Sequence, residues 1–251
     1  MIILEVINLT KNFGALKAVN NVSLRIAERT IHSIIGPNGA GKTTLFNMVA
    51  GVFSPSSGKI LFKGEDITNL KVFERSHKGI GRSYQVISIF PELTVMENIR
   101  LAAQSRTNKS INIFRSANSL KDVEEKTTSI LEEVGLSNIA HHKASAVSYG
   151  YQRSLEVGIA LATNPILMLL DEPTSGLPPD EALRLANLIK KISKGLTVLL
   201  VEHHMKLVMS ISDIISVFHQ GNVIAEGSPK EIQENEIVKR AYLGELKHVT
   251  S

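Results

Sequence analysis

The stretch "SIIGPNGAGKTTLFNMVAG", residues 33 to 51, puts Gly36, Gly39, Gly41 and a Lys-Thr-Thr run between an apolar segment and a helical pattern. Gly36 to Thr43 fit G-x-x-x-x-G-K-[ST] in the context that pattern requires, after a strand and opening a helix. Glycines here let backbone N–H groups approach phosphate oxygens, and the helix N-terminus adds the positive end of its dipole. The candidate phosphate cradle is Gly36, Pro37, Asn38, Gly39, Ala40, Gly41, Lys42, Thr43 and Thr44. Lys42 is expected on the β and γ phosphates and Thr43 on Mg²⁺. The plainer alternative, a glycine turn that only caps a helix, leaves the lysine and threonines without a role.

Short apolar runs ending at turn residues recur in "RTIHSIIG", "ILMLLDEP" and "LTVLLVEHH", the pattern of strands buried on both faces of a parallel sheet. Helical periods follow the first two in "GKTTLFNMVAG" and "PDEALRLANLIKKISKG", with glycine stop signals at Gly51 and Gly195. Alternating strands and helices predict an α/β core, and "ILEVINLTKNF", "VNNVSLRI" and "GKILFKGEDI" predict an antiparallel β layer before it. From about residue 86 to 160 the spacing is helical, interrupted by the weakly patterned "SRTNKSINIFRSANS". The expected organisation is one domain over 1–251, with a core from 1–85 and 161–251 and a helical subdomain at 86–160.

Composition narrows the classes. A net charge of +4 is too mild to argue for nucleic acid, and a chain without cysteine has neither disulfides nor thiolate metal sites and agrees with a reducing compartment. "MIILEVINLT" lacks the features of a secretory signal, and the longest apolar runs are far shorter than the roughly 20 residues that span a bilayer. Bases outnumber acids between Lys71 and Lys121; this reads either as a solvated face or as a surface turned toward anionic lipid or a partner's acidic loops.

Asp171 ends a buried strand, where a carboxylate reaches the Mg²⁺ shell beside Thr43, and Glu172 follows as a group that could accept a proton from the water attacking a γ phosphate. Both could instead begin the next helix, where acids are favoured. His203 beside His204 suggests a metal pair, but consecutive residues at a strand end point in different directions.

With these, "RSYQ", "VSYGYQRSLEVGIALATNP" and "VEHH" make the chain resemble the ATPase subunit of an ATP-binding-cassette transporter. The resemblance runs from Phe13 to about residue 245. It implies a P-loop nucleoside-triphosphatase fold: a mostly parallel α/β core, an antiparallel β layer and an inserted helical subdomain. It further implies ATP and Mg²⁺ as cofactors, Phe13 stacked on adenine, and Gln85 sensing Mg²⁺ or the attacking water while coupling to the membrane partner. His203 would contact the γ phosphate, and Ser148 and Gly150 would close on the nucleotide of a second ATPase subunit. Catalysis would rest on Glu172, His203, Gln85 and Lys42, and the metal on Thr43, Gln85 and Asp171. The family's L-S-G-G-Q signature is here Val147, Ser148, Tyr149, Gly150 and Tyr151, and its S-A-L-D loop is "SGLPPD", with Pro178 in place of the aspartate.

"FPELTVMENI", "VFHQGNVIAEGSPKEI" and the terminal "AYLGE" are similar to the ATPase subunits of branched-chain amino acid importers. The implied partners are transmembrane permeases, a second ATPase subunit and, indirectly, a periplasmic or extracellular substrate-binding protein, at the cytoplasmic face of the membrane. Urea or amide importers and lipopolysaccharide exporters are the related alternatives. A soluble cassette protein is the distant one, because such proteins carry a long coiled-coil insertion or two cassettes. Ile87, Ile89, Phe90 and Leu93, following Gln85, are expected to line the groove that receives the permease.

Overall fold

The computed structural model describes residues 1–83, 88–105 and 117–246. β1 (Ile2–Phe13) and β2 (Leu16–Ala27) form a long antiparallel hairpin whose turn places Gly14 at φ 59°. β3 (Ile31–Ile35) then leaves this layer and runs through the phosphate-loop sequence into α1 (Lys42–Val49). β4 (Ser57–Phe62) and β5 (Glu65–Asp66) return to the hairpin, giving the sheet order β2-β1-β4-β5. α2 (Val72–His77) and β6 (Ile80–Arg82) follow, then α3 (Val95–Ser105), α4 (Ala117–Glu133) and α5 (Tyr149–Ala162). The chain closes with β7 (Leu167–Asp171), α6 (Pro179–Ile192), β8 (Thr197–Val201), α7 (Met205–Ile211), β9 (Ile214–His219), β10 (Asn222–Gly227), α8 (Pro229–Glu234) and α9 (Glu236–Leu246).

The second sheet has the order β10-β9-β3-β8-β7-β6, all parallel except the β9–β10 hairpin. Its central strands are apolar at successive positions because each face meets a different core. Leu167, Leu169, Leu199 and Val201 join α1 and the antiparallel layer. Met168, Leu170, Val198 and Leu200 join α3 to α6. Each such side chain contributes about 1.5–3 kcal/mol of burial, which is why these runs lack the polar alternation of a half-solvated strand. The helices between β6 and β7 thus share a core with the sheet.

Register fixes the functional edge. Ile34 pairs with Val201, and Asp171 pairs with the same Val201. The C-terminal ends of β3, β7 and β8 are therefore level and adjacent, the edge at which open α/β sheets bind ligands.

Some elements differ from the sequence expectation. β6 is three residues long and contains Gly81, too short to carry a period, yet it pairs with β7. The β9–β10 hairpin turns on Gln220 (φ 47°) and Gly221 (φ 77°), a left-handed pair suited to a type I′ turn. Gly51 does adopt the left-handed conformation after α1, but Gly195 is not among the residues with positive φ. α5 begins at Tyr149, with Ser148 as its N-cap.

The basic run from Lys71 is not one solvated face. Arg75 is buried and donates to the carbonyls of Met48, Val49, Thr68 and Leu70 at 2.7–2.9 Å. Burial pulls its pKa down to about 10, which leaves it charged at neutral pH. Lys78 pairs with Glu65.

Candidate functional site

α1 opens without help from its own side chains. Its N-cap, Gly41, sits at φ 101°, no side-chain cap is made, and no acid stands in the first turn. The amides there are left to an external acceptor. The loop is held by close backbone packing: a Cβ on Gly36 would lie 2.2 Å from the Phe218 carbonyl oxygen, and one on Gly41 would lie 2.3 Å from that of Ala18. Gly221 donates its amide to Ala40 O, so the β9–β10 turn braces the loop from the other side. Lys42 is buried, and its ammonium donates to Gly36 O and Pro37 O at 2.7 and 2.8 Å. Thr43 is exposed at the helix start.

This loop floors an open cavity of about 540 Å³, within the roughly 300–1,000 Å³ range of ligand pockets. Asn38 to Thr44 form its floor, Phe13 and Leu16 to Ala18 one wall, and Gln220, Gly221 and Glu172 the remainder. The Phe13 ring is 43% exposed and stands edge-on to Phe53 at 5.6 Å, with the Lys11 ammonium 5.2 Å from its centroid. An aromatic face held in this way at a cavity wall suits a planar heterocycle.

Asp171 lies beyond the floor, 2% exposed, and its Oδ1 has no hydrogen-bond partner among the described residues. Burial, then the charge of Glu172, pushes its pKa up to about 6 against the opposing charges of Arg82 and Lys42. A buried carboxylate oxygen without a donor suits a cation that prefers oxygen ligands. Glu172 adopts φ 46°, a strained conformation for a non-glycine residue, fixed by its amide bonding to Val201 O at 2.9 Å. Its carboxylate comes within 3.7 Å of His203 Nδ1.

Sequence reasoning missed Glu202. It is fully buried and accepts from Thr174 N at 3.1 Å, Thr174 Oγ1 at 2.5 Å, and the amides of His203 and His204 at 3.1 and 3.5 Å. The carboxylate thereby ties the loop after β8 to the loop after β7 and sets where His203 stands. The only signal for it was an acid where a buried strand ends. Strand alternation does not apply to His203 and His204, because β8 stops at Val201; their rings lie 4.3 Å apart. Arg82, one of the bases between Lys71 and Lys121, bonds Asn47 Oδ1 at 2.8 Å and lies over the Phe46 ring of α1.

Ser148 and Gly150 stand elsewhere. They line a small depression of about 60 Å³ with Tyr151, Ser154, Glu181, Arg184 and Leu185, sharing no residue with the larger cavity. Ser148 makes no capping bond to α5, so this helix too presents a first turn not capped by its own side chain. Gly150 lies under Glu181, whose Oε2 would be 2.3 Å from an added Cβ. Phe90 is 59% exposed, whereas Ile89 packs on the helical core and Leu93 is half-buried. Gln85 and Ile87 lie outside the described residues.

The chain matches the model of the ABC transporter family over residues 19–175, and that of the branched-chain amino acid ATP-binding cassette transporter over 222–247. It is 44% identical to the high-affinity branched-chain amino acid transport ATP-binding protein BraF of Pseudomonas aeruginosa, covering 97% of this chain and 98% of that one. It is 41% identical to the corresponding protein LivG of Salmonella typhimurium, over 97% and 98% of the two chains. Among solved structures, an ATP-binding cassette of an ABC transporter in its ADP conformation superposes with a TM-score of 0.84 at 33% identity, covering 97% of this chain and 99% of that one.

Proposed function

The chain belongs to the ABC transporter family of ATPases, and from that premise we propose that it energises a branched-chain amino acid importer at the cytoplasmic face of a membrane. It binds and hydrolyses ATP, and none of the helices searched among the described residues is long and apolar enough to cross a bilayer. The membrane attachment proposed here is therefore peripheral, through permease subunits. The solute assignment rests on the kinship with BraF and LivG and on the matched C-terminal segment.

In this reading Phe13 stacks on the base, the amides of residues 38–44 hold the phosphates, and Lys42 turns from its loop carbonyls to the β and γ oxygens. Thr43 Oγ1 and Asp171 Oδ1, which has no partner among the described residues, would hold Mg²⁺. Mg²⁺, when bound, neutralises charge developing on the phosphates. Glu172 takes the proton of the attacking water, and His203, steadied by Glu172 and Glu202, donates to the γ phosphate. Gln85 is assigned to the metal shell and to the permease contact.

The observation that carries the arrangement is that Ser148 and Gly150 line a depression separate from the phosphate cavity. We assign them to the nucleotide held by a second ATPase subunit packed head to tail, identical or not. A substrate-binding protein outside the membrane would deliver solute to the permease. The test is reconstitution with the permease that copurifies with the chain. ATP turnover should rise when the binding protein carries leucine, isoleucine or valine; stimulation by urea, an amide or lipopolysaccharide instead reassigns the solute.

A further inference from the structure

The two halves of α5 are connected to different things. At its start Tyr149 accepts a hydrogen bond from Arg153 Nη2 at 2.8 Å, with the guanidinium carbon 5.1 Å from the ring centroid. The same ring packs along Gly176, in the loop after the β7 carboxylates, with Cε1 3.6 Å from where a Cβ would stand. One turn further along, Arg153 Nη1 bonds Glu156 Oε2 at 2.9 Å, both side chains about 5% exposed. Glu156 Oε1 in turn accepts the backbone amide of Ser88 at 2.9 Å. Burial raises the Glu156 pKa, against the Ser88 and Arg153 bonds that lower it.

The segment beginning at Ser88 has a second tether. Asn98 of α3, 1% exposed, accepts from Phe90 N at 2.8 Å and donates to Phe90 O at 3.0 Å. Residues 88–90 are thereby fixed to the helical layer at two points, with the Phe90 side chain outside it.

We propose that Tyr149, Arg153 and Glu156 are positioning residues that lock Ser148 to the Ser88–Phe90 segment, so that a permease element bearing on Phe90 resets the serine offered to the partner's nucleotide. The Arg153–Glu156 pair at the centre is buried, so separating it is costly, and a displacement at either end is passed through it rather than absorbed by it. The tyrosine matters here because a glycine at 149, as in the familiar signature, has no hydroxyl to receive Arg153. The proposal rests on the head-to-tail reading above.

The test uses the assembled transporter and compares ATP turnover of the ATPase pair with and without its permease. Tyr149→Phe keeps the half-exposed ring and removes the acceptor, so folding is not at stake. It should lower the permease stimulation about threefold while half-saturating ATP stays unchanged. Glu156→Gln should lower it comparably, and the double variant should be no worse than the poorer single one, because both cut the same path. Losses that multiply in the double variant, or full stimulation in Tyr149→Phe, overturn the relay. Ser148→Arg in the same assay separates the two ideas. Retained turnover there defeats the head-to-tail reading, whereas lost turnover with an unaffected Tyr149→Phe defeats the relay alone.

Discussion

The phosphate cavity and the signature depression are both helix starts without a side-chain cap of their own, yet they are built to different degrees of completeness. At the first, α1 meets a braced loop, a buried lysine, the Glu172 carboxylate and an aromatic wall within one cavity, with Asp171 buried beyond its floor. At the second, α5 meets a shallow surface lined by Ser148, Gly150 and the Glu181 carboxylate. On the proposed head-to-tail reading, the difference means that one chain binds a nucleotide by itself and a second chain finishes the chemistry. A helix N-terminus is common currency; what surrounds it decides its use.

The comparison breaks most visibly at Glu172. Glu172→Gln should retain ATP binding and lower single-turnover hydrolysis at the chain's own cavity by about 10³-fold. Phosphate release within threefold of wild type would remove the base from the first half and erase the contrast. Ser148→Arg addresses the second half. In a mixed assembly with an intact partner it should reduce hydrolysis by about 10²-fold at the site whose phosphate loop belongs to the partner. A defect at this chain's own loop instead would show that both halves serve one nucleotide. Phe13→Ala sharpens the first half further: losing one stacked base should weaken ATP binding about tenfold with little change in kcat, read by equilibrium binding.

The smallest effect lies in β3, the strand that carries the phosphate loop. His32 is buried with Nε2 2.7 Å from Ser216 Oγ, and burial lowers its pKa to about 4. The unfolded chain takes up this proton near pH 6.5, the folded one near 4, so the stability contributed by His32 is intact above 6.5 and falls as pH drops between those values, while Asp171, raised to about 6, contributes in the opposite direction. Over that window the slope from His32 should be about 1 kcal/mol per pH unit. His32→Asn should flatten it in urea melts. A slope untouched by the substitution assigns the acid sensitivity to another group, outside this strand.

The parts legible in the sequence are those where one local rule suffices. Residues 36–43 carry their function in their own pattern, and the apolar runs of β3, β7 and β8 announce burial on both faces. Glu202 was hidden because its role depends on Thr174, 28 residues away in the chain. Arg75 read as a surface base because no sequence period distinguishes a solvated cation from one wrapped in carbonyls. β6 was too short to show a pattern and exists through its pairing with β7. Tyr149 was legible as a departure from a motif but not as a partner of Arg153, which requires knowing where α5 begins.

Arg75 also shapes the field at the other end of α1. A helix of eight residues is only about 12 Å long, so a negative pole left bare at its C-terminus would lie close enough to oppose the attraction of its amide end for a polyanion. The guanidinium, bonded to Met48 O and Val49 O from inside the protein, cancels that pole where water cannot screen it. Lysine, with three donors on one nitrogen, could not span these two carbonyls and those of Thr68 and Leu70 together. A residue at the opposite end of α1 thus adds to the net positive potential that the loop presents.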